Sequence, residues 1–329
     1  MSEEASEPVY DVAHLGHVEL LTPAFEESLW FFTEVLGTEE VAREGRSVYL
    51  RAFGDYELYT LKLTVADRAG PGHIAWRATS PQALERRVRA LEGSGLGEGW
   101  IQGDLGHGPA YRFTDPDGHS MEVYYESEKY RPSEALRPAL KNQPQKFLAR
   151  GVGVRRLDHV NLRALDIGAN SLFMRDRLGF RLTEEVVLDD GRQGAAWMNV
   201  TQKSYDIAYG GIDAAGIPGR LHHVAYAVDS REYVLRAADI FLEEGVFIEA
   251  GPAKHAVQQT FFLYVYEPGG NRIEMISDIK LLLDPDHETV TWSQAEREKG
   301  QAWGTIMPQS FFTYATPLVE DPDTADGGK

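Results

Sequence analysis

The stretch HHVAY at residues 222–226 has a counterpart in GHIAW at residues 72–76, about 150 residues earlier. Further pairs keep a similar offset: GHVEL at 16–20 with DHVNL at 158–162, and TDPDGHSMEVYYES at 114–127 with YEPGGNRIEMISD at 266–278. Self-similarity at a fixed period is typical of an internally repeated architecture. The sequence therefore predicts two halves with the same fold.

Each half divides once more into two units with the same pattern. A unit opens with a short strand, continues in an amphipathic helix and ends in alternating apolar segments that are typical of strands. The four helices are predicted at residues 24–37, 81–95, 171–180 and 231–245. We therefore predict an α+β protein with four βαβββ modules, paired into two tandem domains that are each an open mixed-sheet barrel.

The proline-rich, charged stretch at 128–153 breaks this pattern and is predicted to be a linker. The predicted segments are an N-terminal domain at 10–127, this linker, a C-terminal domain at 154–279, an extension over its pocket at 280–317 and a disordered acidic tail at 318–329. Within the extension, WSQAEREKGQAWG is predicted to form a helix over residues 292–304.

Composition limits the partners and the ligands. The net charge of -18, without a basic patch, argues against nucleic acid. No apolar run approaches the ~20 residues of a membrane span, and the acidic start MSEEASEPVYD lacks the features of a secretory signal, so we expect a cytoplasmic protein. Because the 329 residues include no cysteine, a metal would need histidine and carboxylate ligands, which suit Fe(II), Mn(II) or Zn(II).

Alternation along the strand LHHVAYAV assigns its two adjacent histidines to opposite faces. His223 shares a face with small alanines, which leaves space beside it. His222 shares the other face with Val224 and Tyr226, and that face is predicted to pack against helices. We therefore predict that His223 is a metal ligand and that His222 is a core or supporting histidine.

Two other strands place one potential ligand each on the same open face. His159 lies there in DHVNL together with Asn161, and Glu274 lies there in NRIEMIS. Two histidines and one carboxylate form the arrangement that leaves metal positions open for substrate and O2. The residues therefore predict a metal site formed by His159, His223 and Glu274.

The motifs LDHVNL, LHHVAYAV and KHAVQQTFFLYVYEPGGNRIEM together resemble the type I extradiol ring-cleavage dioxygenases of the vicinal oxygen chelate superfamily, of the catechol 2,3-dioxygenase and homoprotocatechuate 2,3-dioxygenase type. The resemblance covers roughly residues 10–316 and implies the glyoxalase/bleomycin-resistance/dioxygenase-like fold. It implies cleavage of a small aromatic diol by O2 to a 2-hydroxymuconic-semialdehyde-type product. It also implies Fe(II), with Mn(II) as the alternative, and a homo-oligomer, with a tetramer favoured.

Carried over residue by residue, the resemblance assigns the metal ligands to His159, His223 and Glu274. Tyr264 and His255 would hydrogen-bond the catechol oxygens and the reduced oxygen species, and Asn161 and Trp197 would contact the substrate. The family's acid/base histidine is replaced by Tyr205 in KSYDIAYGG. A phenol with a pKa of about 10 is a poor base near neutral pH but a competent hydrogen-bond donor.

The N-terminal half holds His17, His73 and Glu122 at the positions equivalent to this triad. The position matching Tyr264 is Arg112, however, and a cation beside a divalent metal is unfavourable. We therefore expect this half to be catalytically silent and to bind no metal.

Alternatives to a catechol dioxygenase remain open. The change to Tyr205 is compatible with cleavage of a hydroquinone- or aminophenol-type ring. A glyoxalase-like isomerase and a drug-binding protein share the fold, but the former spreads more acidic ligands over two modules and the latter lacks the triad. Ala250 stands at one position considered for binding a carboxylate, and the helix near residue 299 offers Lys299 and then Gly300, so we expect an uncharged catechol.

Overall fold

The computed structural model describes residues 9–298 and 300–318. Its N-terminal half forms one mixed sheet with the strand order β2-β3-β4-β1-β5-β8-β7-β6. The strands are β1 Val12–Thr22, β2 Glu39–Glu44, β3 Ser47–Arg51, β4 Leu61–Val65, β5 Gly70–Ala78, β6 Gly97–Ile101, β7 Ala110–Thr114 and β8 Ser120–Tyr124. β1 pairs in parallel with β4, as β5 does with β8, and the other neighbours are antiparallel.

The C-terminal half forms a second mixed sheet, in the order β17-β10-β11-β12-β9-β13-β16-β15-β14-β18. Its strands are β9 Arg156–Ala164, β10 Arg181–Val187, β11 Gln193–Asn199, β12 Ile207–Ile212, β13 Arg220–Ala227, β14 Ile248–His255, β15 Phe261–Tyr266, β16 Arg272–Ser277, β17 Val290–Ser293 and β18 Gln301–Trp303. Without β17 and β18, this order repeats that of the first sheet strand for strand. The predicted duplication into two tandem mixed-sheet domains is confirmed, and both sheets are open.

Four helices pack against these sheets: α1 Phe25–Trp30, α2 Pro81–Glu92, α3 Ile167–Phe173 and α4 Arg231–Glu243. α1 and α3 each continue into a π-helical turn, Phe31–Val35 and Met174–Leu178. The start of α2 follows from its sequence, because the Ser80 side chain accepts a hydrogen bond from the Ala83 amide and Pro81 occupies the first turn. Likewise, Asp166 caps α3 through the Ala169 amide.

One apolar core runs through the helix-covered faces of both sheets. The Phe31 ring stacks on Phe241 of the other half at 6.3 Å between centroids, and Trp76 meets Phe180 edge to face at 4.9 Å. Because the helices occupy these faces, the opposite face of each sheet is left for polar side chains.

The segment between the sheets, residues 128–153, contains one 3₁₀ turn, Glu134–Leu136. The predicted boundaries of the two domains, the linker and the extension stay predictions.

The prediction that residues 292–304 of the extension form one helix is wrong. Of the described residues in this stretch, only α5 Gln294–Glu298 is helical, and α6 Gln309–Thr313 follows later. β17 pairs with the edge strand β10, and β18 pairs with β14 at the other edge. Exposed sheet edges offer unpaired backbone groups, and pairing with them outweighs the weak local helix preference. Lys299 and all of the predicted acidic tail except Leu318 lie outside the described residues. Within the described ranges, no helix combines the length and apolar character needed to span a membrane.

Candidate metal centre

Strand register brings the three predicted ligands of the C-terminal half together around one small residue. Ala225 on β13 pairs with His159 on β9 at one side and with Glu274 on β16 at the other. His223 lies two residues before Ala225, on the same face of β13. Because the alanine side chain is a methyl group, the three longer side chains converge above it.

The ligand atoms lie at distances that suit a shared ion. The Nε2 atoms of His159 and His223 are 3.2 Å apart, and Glu274 Oε2 lies 3.0 Å and 3.2 Å from them. Ligands about 2.1 Å from a metal and at right angles to one another are separated by about 3 Å. All three side chains are buried.

The chemistry of these residues also fits a cation. Within the described part of the chain, neither carboxylate oxygen of Glu274 has a hydrogen-bond partner, although both are buried. A buried charge left without compensation is costly. Burial lowers the pKa of His223 to about 4, so its imidazole is neutral and available as a ligand.

His222 does not face the packing side, so that prediction was wrong. The register of β13 against β9 shifts between Leu221 and His223, which places His222 beside the centre. His222 Nε2 donates to the Phe311 carbonyl oxygen at 2.7 Å, and its Nδ1 lies 2.6 Å from His223 Nδ1. A carbonyl can only accept, so His222 Nδ1 is the acceptor for the N–H of His223. This chain of hydrogen bonds directs the lone pair of His223 Nε2 to the centre.

His255 and Tyr264 form a second hydrogen-bonded chain. Tyr264 on β15 pairs with Glu274, and its hydroxyl lies 3.0 Å from His255 Nε2 at the end of β14. His255 Nδ1 donates to Gln301 Oε1 at 2.7 Å, so its Nε2 accepts from Tyr264. The imidazole also stacks on the Phe262 ring at 3.8 Å. Gln301 comes from the extension, and no local signal in the sequence pointed to it.

The remaining predicted residues line the same small cavity of about 30 Å³, which also touches His255, Tyr264 and His222. The Tyr205 ring centroid is 4.3 Å from that of His159. Burial, together with the charge of Glu274, raises the pKa of Tyr205 well above its usual value. Trp197 lines the cavity, and Asn161 does so while its Oδ1 accepts from the Gly210 amide at 3.0 Å. All the predicted site residues are therefore brought together.

A cavity of about 770 Å³ lies next to this small one and shares Gly210 and Arg297 with it. The extension supplies much of its wall, from Gln294 to Phe312. Arg297 forms no ion pair with any described acidic residue. Burial lowers the pKa of this guanidinium from its usual value without discharging it. Sequence reasoning considered only positions 299 and 300 of this segment and missed Arg297.

Comparison with known proteins agrees with this geometry. A family model described as Glyoxalase/Bleomycin resistance protein/Dioxygenase superfamily matches residues 14–123 and 156–275, which fall one in each of the two mixed sheets. A metapyrocatechase of Geobacillus stearothermophilus is 48% identical over 97% of this chain and 98% of that protein. A manganese-dependent 2,3-dihydroxybiphenyl 1,2-dioxygenase of Geobacillus genomosp. 3 is 40% identical over 89% of this chain and 94% of that protein. The crystal structure of homoprotocatechuate 2,3-dioxygenase from Arthrobacter globiformis has a TM-score of 0.82 and 27% identity, over 94% of this chain and 93% of that one.

Proposed function

The chain belongs to the Glyoxalase/Bleomycin resistance protein/Dioxygenase superfamily and is an extradiol dioxygenase, and we propose that the cluster of His159, His223 and Glu274 is the centre at which it cleaves catechols. The product is then a 2-hydroxymuconic-semialdehyde-type compound. One observation carries the assignment of the centre: a fully buried Glu274 carboxylate without a hydrogen-bond partner in the described chain faces two histidine nitrogens beside a cavity.

A divalent metal held by these three residues would supply Lewis acidity and a place for electron exchange with O2. We propose Fe(II), with Mn(II) as the alternative, because two imidazoles and a carboxylate suit both ions. The manganese dependence in the name of the Geobacillus genomosp. 3 relative supports keeping the alternative. Metal analysis of the chain purified without air would decide between them.

Tyr264 and His255 would receive the proton that a catechol loses when it binds through both oxygens. The Tyr264 hydroxyl donates to His255 Nε2, so its own oxygen is free to accept from the catechol O–H. A proton can then pass from the catechol to Tyr264 while the Tyr264 proton moves to His255. Gln301 would stabilise the imidazolium that results, since it already accepts from Nδ1.

Tyr205 would act as a hydrogen-bond donor and not as a base. Its raised pKa keeps the phenol protonated throughout the neutral range. Its ring lies against His159, on the cavity side of that ligand, where a donor can stabilise negative charge developing on oxygen. This role differs from that of a histidine, which accepts and returns a proton.

The large cavity indicates the size and charge of the substituent that the catechol can carry. Its volume of about 770 Å³ can hold a side chain or a second ring beyond the diol. Arg297 lines both cavities and supports an anionic substituent as a second candidate beside the uncharged catechol predicted from the sequence.

The direct test is O2 uptake by the anaerobically purified chain on addition of catechol, with a visible spectrum of the product. We expect a yellow ring-cleavage product, and the loss of both signals in His223→Ala. His14→Ala removes a histidine outside the cluster and serves as the matched control. Bound metal without O2 uptake on catechol, methylcatechol or hydroquinone would overturn the proposal. A homo-oligomer, with a tetramer favoured, is also proposed, and light scattering would test it.

A further inference from the structure

The N-terminal sheet repeats the register of the C-terminal centre. Ala75 on β5 pairs with His17 on β1 and with Glu122 on β8, as Ala225 does with its two neighbours. His73 lies two residues before Ala75, in the position that corresponds to His223. The three side chains are buried and form a second group of potential ligands.

The distances in this second group match those of the first. His17 Nε2 and His73 Nε2 are 2.9 Å apart, and Glu122 Oε1 lies 3.4 Å and 3.5 Å from them. These separations match ligands about 2.1 Å from one shared ion, which lie about 3.0 Å apart at right angles and about 3.4 Å apart at the tetrahedral angle.

The orientation of His73 is fixed by a second carboxylate. His73 Nδ1 donates to Glu19 Oε2 at 2.8 Å, and Glu19 Oε1 accepts from Thr64 Oγ1 at 2.6 Å. Metal-binding histidines usually donate their other ring N–H to a carboxylate in this way. With its proton on Nδ1, His73 directs the lone pair of Nε2 to the centre of the group.

Two buried atoms at this site lack a partner within the described residues: Glu122 Oε1 and His107 Nε2. His107 Nδ1 donates to the Gly108 carbonyl at 2.9 Å, so its Nε2 carries a lone pair. That lone pair lies 3.5 Å from Glu122 Oε1. Two acceptors that face each other in a buried site repel unless a positive charge lies near both.

Arg112 does not fill this role. Its Nε donates to Glu122 Oε2 at 2.7 Å, which leaves Oε1 free on the side of the histidines. Glu19 and Glu122 together carry two negative charges, Arg112 carries one positive charge, and Lys62 near Glu19 is itself paired with Asp104. The site therefore keeps a net negative charge that a cation would offset, contrary to the expectation from the sequence that Arg112 prevents binding.

We infer that His17, His73 and Glu122 bind a second divalent transition-metal ion, and that this ion is structural. The rings of Tyr59 and Tyr124 lie 4.9 Å and 5.6 Å from that of His17, and the adjoining cavity has no free volume for an organic substrate. Zn(II) accepts imidazole nitrogen and carboxylate oxygen as ligands and has no redox chemistry, which suits a site closed to substrate, so Zn(II) is the favoured ion.

Elemental analysis of the desalted full chain tests this inference. We expect two divalent ions per chain, one for each ligand group. His73→Ala should contain one ion fewer and keep O2 uptake on catechol, whereas His223→Ala should lose the other ion together with the activity. His14→Ala should retain both ions. This pattern separates the second site from the proposed function, because each site is reported by its own variant.

Glu122→Gln is a second variant that tests the same site if His73→Ala fails to fold. The amide oxygen can still accept from Arg112 Nε, but the ligand charge is gone, so we expect one ion fewer with an unchanged circular dichroism spectrum. Titration of the chelator-treated chain with Zn(II) should saturate at two equivalents, and at one in this variant. A chain that holds one ion, lost in His223→Ala and unaffected by His73→Ala or Glu122→Gln, would overturn the inference.

Discussion

Replacing His222 tests whether the chain of hydrogen bonds behind the centre controls metal affinity. His222→Phe keeps a ring of similar size but removes both the donor to the Phe311 carbonyl and the acceptor for His223 Nδ1. The Phe311 carbonyl retains a second donor, Arg163 Nη2 at 2.6 Å. The His223 N–H is therefore the group left buried without a partner.

The magnitude follows from that single orphaned donor. An unsatisfied buried polar group costs about 1–3 kcal/mol, which we expect as the loss in unfolding free energy of the metal-free variant. His223 can regain a partner only by turning or by moving its proton to Nε2, and both changes withdraw the ligand lone pair. Loss of such a supporting partner typically weakens metal binding or activity by 10–100-fold.

Competition with a chelator measures the affinity, and O2 uptake at saturating metal measures what remains of the activity. His222→Gln is the matched variant, because its amide oxygen offers an acceptor to His223 and should recover part of the affinity. Unchanged metal affinity in His222→Phe, with His223→Ala still inactive, would refute the orienting role of His222.

Three further predictions concern other sites. Tyr205→Phe removes a protonated donor beside His159, so kcat should fall about 10–100-fold with little change in KM. A kcat within about twofold of the wild type would contradict the role of Tyr205 as a hydrogen-bond donor. Arg297→Ala should raise KM about tenfold for a carboxylated catechol and leave KM for catechol itself unchanged, as measured by steady-state O2 uptake. Equal effects on both substrates would count against Arg297 as the anion-binding residue. Asp55 is a buried carboxyl whose pKa is raised to about 6 by burial. The native state holds the Asp55 proton more tightly than the unfolded state does, so protonated Asp55 stabilises the fold below about pH 4. This stabilisation, about 3 kcal/mol in total, is lost between about pH 4 and pH 6. Urea unfolding should show this loss in the wild type relative to Asp55→Asn, and parallel pH curves would refute it.

The parts of the fold that were predicted correctly depend on short-range patterns. Repeated strand motifs such as HHVAY and GHIAW indicate both the duplication and the face on which each ligand lies, since alternation is a property of any strand. That is sufficient to place His159, His223 and Glu274 on one open face. Their convergence around Ala225 then follows from strand pairing.

The incorrect and missed predictions depend on contacts between distant segments. The register shift that turns His222 toward the centre arises from pairing with β9 and leaves no trace in the alternation of LHHVAYAV. Residues 292–304 were predicted to be helical because they favour helix locally, but the open edges at β10 and β14 bind the two ends of this stretch as strands. Gln301 lies in the strand paired with β14, and Arg297 lies in α5 between the two paired segments, so both reach the site through the extension.

The two halves show that the ligands alone do not determine where catalysis occurs. Both hold two histidines and a glutamate around an alanine, and a tyrosine two residues before the paired strand, Tyr59 or Tyr205. They differ at the position opposite the glutamate, which is Arg112 in one half and Tyr264 in the other. Arg112 donates to one oxygen of Glu122, whereas both oxygens of Glu274 lack a hydrogen-bond partner within the described residues. They differ also in the extension, which adds β17, β18 and α6 to the C-terminal sheet and forms the wall of the large cavity. A substrate needs that cavity and the relay through Tyr264 and His255, so ring cleavage is expected only in the C-terminal half even if both halves hold an ion.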